Sequence, residues 1–130
     1  MELYERNYAA LLGLGEAAAY AVAWGTKNIE VQNIALGKLL RERLSHINGV
    51  QLHDRGQQLG SIVTFEVKGK DHEKIMHDLR RKKIHLSMAT GVGARLDLGV
   101  RGIQSVLRAS LHYYNTDDEI SAFATQIEQL

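Results

Sequence analysis

Residues 105–120 read Ser-Val-Leu-Arg-Ala-Ser-Leu-His-Tyr-Tyr-Asn-Thr-Asp-Asp-Glu-Ile. The first six have the pattern of an apolar strand that presents one arginine, Arg108. The chain then turns through polar residues into a helix start. Thr116 offers a side-chain acceptor just ahead of Asp117, Asp118 and Glu119, where unpaired N–H groups and the helix dipole favour negative charge. The stretch therefore predicts a strand, a turn and a capped helix, with a lone guanidinium in the strand.

Upstream, Asn7 to Trp24 is rich in Ala, Leu, Gly, Tyr and Val. Leu11, Leu12, Leu14, Ala18 and Val22 fall near helical spacing and predict a largely buried helix. In that reading Gly13 and Gly15 allow close packing, and Gly25 closes the helix as its C′ residue. A second helix spans about Thr26 to His46, with Ile29, Ile34, Leu36, Leu40 and Leu44 as its stripe and Lys38, Arg41 and Arg43 on its outer faces. Asn48-Gly49 signals a turn, Val50 to His53 a short strand, and Ser61 to Val67 the clearest strand of the chain. Asp71 caps a third helix whose inner face carries Ile75, Met76 and Leu79. Ile84 to Met88 reads as a strand or strand-like segment, and Ala89 to Gly102 as a loop in which Leu96 and Leu98 must pack. The last helix buries Ile120, Phe123, Ala124 and Ile127. The order α-α-β-β-α-β-β-α predicts an α+β two-layer sandwich: a small, mainly antiparallel sheet covered by helices.

Composition bounds the function. With 130 residues the chain has the size of one domain, 1–130, with no internal linker or repeat. Sixteen basic residues against fifteen acidic ones leave a net charge of +1, which argues against a nucleic-acid partner. The run Arg80-Arg81-Lys82-Lys83 suits a helix C-terminus instead. No apolar run approaches the ~20 residues of a membrane span, and the first residues lack signal-peptide order, so a soluble cytoplasmic protein is expected. The absence of cysteine excludes disulfides, thiolate metal sites and a cysteine nucleophile in this segment.

Other motifs dissolve on inspection. His72 and His77 are five apart, not the four that would set two zinc-binding histidines on one helix face, and no metal is assigned. Gly13-Leu-Gly15-Glu-Ala-Ala18 lacks the preceding strand of a dinucleotide fingerprint. Arg108 is different, because a guanidinium fork can grip a carboxylate with two parallel hydrogen bonds.

Several blocks together resemble the C-terminal small domain of class V aminotransferases, which use pyridoxal phosphate. They are Glu2, Asn7, Ala9, Gly13-Leu-Gly15, Tyr20 and Trp24-Gly25; then Gly49-Val50 and Gly60-Ser-Ile-Val-Thr-Phe65; then Arg108, Ser110 and His112 to Thr116. The resemblance implies that Arg108 binds the α-carboxylate of an amino-acid substrate, with His112 and Asn115 as possible supporting residues. It also implies that the cofactor lysine lies in a large domain upstream, so this chain holds no catalytic or cofactor-binding residue and is inactive alone. The implied partners are that large domain and, in the intact enzyme, a second copy in a homodimer.

Cysteine desulfurases resemble this domain too, but they carry a nucleophilic cysteine in the loop before the arginine strand. Here Ser87 to Asp97 has none, and Tyr113-Tyr114-Asn115-Thr116 looks closer to the aminotransferase and isopenicillin-N-epimerase-like branch. Many members also place a threonine two residues before the match to Asn7, where it reaches the partner subunit's cofactor phosphate. Glu5 stands there instead, and a carboxylate repels phosphate. The alternative is an independent α+β binding module or a pseudoenzyme paired with another protein. Such a module needs no exposed apolar patch, whereas a domain parted from its large domain does.

Overall fold

The computed structural model describes residues 7–130. Asn7 accepts a hydrogen bond from the Ala10 N–H and starts α1, Tyr8–Trp24. Gly25 alone separates it from α2, Thr26–Ser45. With φ 86°, this residue sits where side chains are strained; its N–H bonds the Val22 carbonyl and its carbonyl takes the Ile29 N–H. It ends one helix and begins the next.

Leu36, Leu40 and Leu44, spaced four apart, form the buried stripe of α2. The chain continues through β1 (Val50–Leu52), β2 (Ile62–Val67), α3 (His72–Arg81), β3 (Ser87–Thr90), β4 (Ser105–Ser110) and α4 (Asp117–Glu128). Asp71 caps α3 through the Glu73 and Lys74 N–H groups, and Thr116 and Glu119 form a reciprocal capping box on α4. The sheet order is β1-β2-β4-β3, with every pair antiparallel.

Because strand residues alternate between faces, one side of the sheet buries Val63, Phe65, Val67, Leu107 and Ala109. Against it pack the α2 stripe, Ile75 and Leu79 of α3, and Ile120, Phe123 and Ile127 of α4. The expected α+β two-layer arrangement is present. Among the described residues no α-helix packs on the second face of the sheet.

Four local expectations need correction. No residue of α1 is buried; Leu12 is 76% and Leu14 66% exposed, and among the described residues α1 meets mainly α2 and the turn at Tyr113. A Cβ on Gly13 or Gly15 would meet nothing within 4 Å, so neither glycine serves close packing among the described residues. The third strand starts at Ser87, not Ile84. Lys83 takes a left-handed φ of 62° and the Ile84 N–H bonds back to Leu79, so Ile84 and Leu86 cover the core from a turn, not from a ladder. Finally, Leu98 packs but Leu96 is 97% exposed, within a π-helical turn at Arg95–Gly99. Glu2 and Glu5 lie outside the described residues.

Arg41 also departs from its expected outer position. It turns inward, and its Nε meets Asp54 Oδ2 at 2.6 Å while its Nη atoms donate to the carbonyls of Gly60 and Ile62. Asp54 Oδ1 in turn accepts from the Thr64 N–H and hydroxyl. This network fixes the 54–61 loop against α2. Gly37 makes room for it, since a Cβ there would lie 2.4 Å from the Gly60 carbonyl oxygen.

Candidate functional site

The helix-free face of the sheet carries the site. In β4, Leu107 and Ala109 point into the core, so Arg108 between them points to the opposite side, and it is exposed. The register sets Arg108 opposite Thr64 of β2 and opposite Ser87 of β3, which places all three side chains in one row. Next to Thr64 in the direction of β1 lies His53, whose N–H bonds the Thr64 carbonyl.

Arg108 Nε donates to Ser87 Oγ at 2.9 Å. Among the described residues no carboxylate approaches the guanidinium within 4.0 Å, and its two Nη atoms have no hydrogen-bond acceptor. The Thr64 hydroxyl donates to Asp54 Oδ1 and makes no hydrogen bond with the guanidinium. A fixed, solvent-facing guanidinium has the geometry to pair with a carboxylate through two parallel hydrogen bonds.

One end of this face is roofed. Leu98 and Val106 are both buried, yet neither belongs to the main core cluster. The segment 91–104 folds back over that end, held by Gly91 N–H to the Gln104 carbonyl and by Arg101 Nη2 to the His53 carbonyl at 3.0 Å. Arg101 also pairs with Asp97. The buried His53 ring lies between Arg101 on its Nδ1 side, at 3.4 Å, and Glu66 on its Nε2 side, at 3.5 Å. The roof leaves Arg108 uncovered.

The two supporting candidates sit apart from Arg108. The His112 ring stacks on Tyr114 and lies tilted against Tyr113, with both centroid separations 4.4 Å, and no hydrogen bond joins it to the guanidinium. Asn115 is committed to the α4 cap: its Oδ1 accepts from the His112 N–H and its Nδ2 donates to Glu119. The Asn115 Nδ2 bond to the charged form, with a second from the Thr116 N–H, holds the Glu119 carboxyl below its ordinary range. Asn115 lines a groove of about 400 Å³ with Lys83, His85 and Ser110, and Arg108 is not part of it. Tyr113 instead reaches Trp24, with ring centroids 6.2 Å apart, and ties the end of α1 to this turn.

Ser87 is the residue that the sequence reading missed. As a serine at a strand start it carries no signal until the β3–β4 register is known. Among the described residues no group of three or more histidines and carboxylates is placed to hold a metal ion. No described helix is long and apolar enough to cross a membrane.

A four-stranded antiparallel sheet with helices packed on one face agrees with the fold that the sequence blocks implied. Residues 4–123 match the aminotransferase class-V family, and the chain belongs to it. A probable cysteine desulfurase of Methanothermobacter thermautotrophicus is 25% identical over 127 residues, covering 95% of this chain and 32% of that protein. One from Xylella fastidiosa is 31% identical over 124 residues, covering 93% and 29%. The apo cysteine desulfurase of Thermococcus onnurineus superposes with a TM-score of 0.89 at 25% identity, over 98% of this chain and 32% of that one. The chain thus spans about a third of the length of these relatives. Their names point to the desulfurase branch, whereas the Tyr113-to-Thr116 ending pointed to the aminotransferase and epimerase-like branch. The family is common to both.

Proposed function

We propose that this chain is the C-terminal domain of a pyridoxal-phosphate-dependent enzyme acting on an amino acid, and that Arg108 binds the substrate's α-carboxylate. The observation that carries the reading is the guanidinium itself: exposed, fixed through Nε, and without an acidic partner among the described residues. A carboxylate arriving there replaces water around a cation already held in one orientation, which lowers the entropic cost of the contact.

The cofactor's own site does not fit this segment. A lysine that forms a Schiff base must be shielded enough to lose its proton near neutral pH. All seven lysines are exposed, Lys27 beside Glu30 and Lys82 on Gln126 among them. Pyridoxal phosphate supplies an electron sink for the α-carbon. The reading gives its binding, and the movement of the α-proton, to a large domain that partners this one, and gives this chain the task of orienting the substrate.

The exposed apolar surface of α1 supports such a partner. Tyr8, Leu11, Leu12, Leu14, Tyr20, Val22 and Trp24 are all more than half exposed on one helix. A run of that kind marks a surface that another protein part covers. An independent binding module would have no use for it. The chemistry is also narrowed by the missing cysteine: no thiolate of this segment can take sulfur from a substrate. The reading therefore favours reactions that leave no persulfide on this domain.

The test pairs this chain with a class V large domain and measures amino-acid turnover. The chain alone, given pyridoxal phosphate, is expected to be inactive. In the assembled enzyme Arg108→Ala should raise KM about 10- to 100-fold, as expected for loss of a charge-assisted contact. Unchanged KM in that variant would overturn the carboxylate role, and turnover by the chain alone would overturn the division of labour.

A further inference from the structure

We infer that Ser87 is a positioning residue that dictates how Arg108 takes a carboxylate: end-on, through Nη1 and Nη2, and not side-on through Nε. This deepens the reading of Arg108 given above and rests on it.

A guanidinium offers a carboxylate two kinds of paired edge. One joins Nε to the nearer Nη, and the other joins the two Nη atoms. Here the first edge is closed. Nε carries a single N–H, and that N–H is donated to Ser87 Oγ at 2.9 Å. The Nη edge has no acceptor among the described residues. The bond also crosses strands, from β4 to β3, between residues paired directly in the register. It therefore fixes the guanidinium to the sheet and not to its own strand. On the other flank Thr64 is equally close in register, but its hydroxyl donates to Asp54 and makes no bond to the guanidinium, so among the described residues Ser87 Oγ is the side-chain acceptor that orients the arginine. A long side chain with several rotatable bonds is thereby held before any ligand arrives, and the ordering cost falls on folding instead of on binding.

The hydroxyl suits the task. It accepts from Nε without adding a negative charge, so the full positive charge of Arg108 remains for the incoming carboxylate. An aspartate at residue 87 would hold the guanidinium as firmly and neutralise it.

Two measurements test this. In the 130-residue chain, the side-chain Nε–H of Arg108 should exchange with water slowly in the wild type, faster in Ser87→Ala, and slowly again in Ser87→Thr, which restores a hydroxyl. In the enzyme assembled with its large domain, Ser87→Ala should raise the amino-acid KM roughly fivefold with kcat less affected, the scale of one side chain's lost preorganisation. Ser87→Thr should return KM towards wild type, and Ser87→Asp should raise it more than alanine does. Equal exchange in wild type and Ser87→Ala would overturn the proposal. So would an Arg108→Ala variant with raised KM beside a Ser87→Ala variant without it. If Arg108→Ala itself leaves KM unchanged, the carboxylate reading fails, and this proposal falls with it.

Discussion

Arg41 and Asp54 meet at 2.6 Å with side chains only 12% and 9% exposed, and between them they anchor the strand that flanks Arg108. The pair is thirteen residues apart in sequence and spans α2 and the loop leading to β2. Removing one partner leaves the other charge buried, with the Thr64 hydroxyl or the Gly60 and Ile62 carbonyls unmatched as well. Asp54→Ala should therefore cost about 3–5 kcal/mol. Urea unfolding measures it, and a loss below 1 kcal/mol would mean that water replaces the carboxylate.

Gly37 gives a sharper test because two effects oppose each other. In an exposed helix, alanine for glycine stabilises by up to ~1 kcal/mol. Here the added Cβ would lie 2.4 Å from the Gly60 carbonyl oxygen and 2.9 Å from Arg41 Nη1. The loop cannot withdraw without breaking the Arg41 bonds, so the crowding should win and Gly37→Ala should destabilise by ~1–3 kcal/mol. A rise in melting temperature would show that the loop yields.

The α4 cap makes stability depend on acidity in one direction. Hydrogen bonds from Asn115 and then Thr116 hold the Glu119 carboxyl below the ordinary glutamate range in the folded chain. A lowered folded value means the contribution is complete above the unfolded value and is lost as pH falls through the folded one. Carbon-detected titration should find Glu119 protonating below the ordinary glutamate range in the wild type. Asn115→Ala should move it upward. An unchanged titration would assign the shift elsewhere.

Leu12 and Leu40 are both leucines on helices, and they should behave as opposites. Leu40 is fully buried, so Leu40→Ala should cost about 2–5 kcal/mol. Leu12 is 76% exposed, so Leu12→Lys should change the stability of this chain by no more than about 0.5 kcal/mol. The same lysine should weaken pairing with a large domain, measured by sedimentation of the mixture. Unaltered pairing would free α1 from that interface.

The contrast between those leucines marks the limit of what the sequence carries. Periodicity located α1, α2 and α4 to within a residue or two, and the Asp71 and Thr116 caps were legible because each is a short-range signal. Periodicity measures apolarity, however, not whether the chain itself holds the neighbour that buries it. That is why α1 was read as internal. Arg108 stood out as a charge in an apolar strand. Its partner did not, since Ser87 lies 21 residues away and meets it only through strand register. Arg41 was placed outside for the same reason: two of its three acceptors, Asp54 and Gly60, belong to a loop with no pattern of its own.

The register of β4 also governs which molecules endure. Held between β2 and β3, this strand sends Leu107 and Ala109 one way and Arg108 the other. A slip by a single residue would drive the guanidinium in among Phe65 and Phe123 and turn Leu107 out to water, a loss no marginally stable domain survives. Misregistered copies would unravel and be cleared by proteolysis. Cellular quality control, which senses only folding, thereby screens for the correct presentation of Arg108 as well.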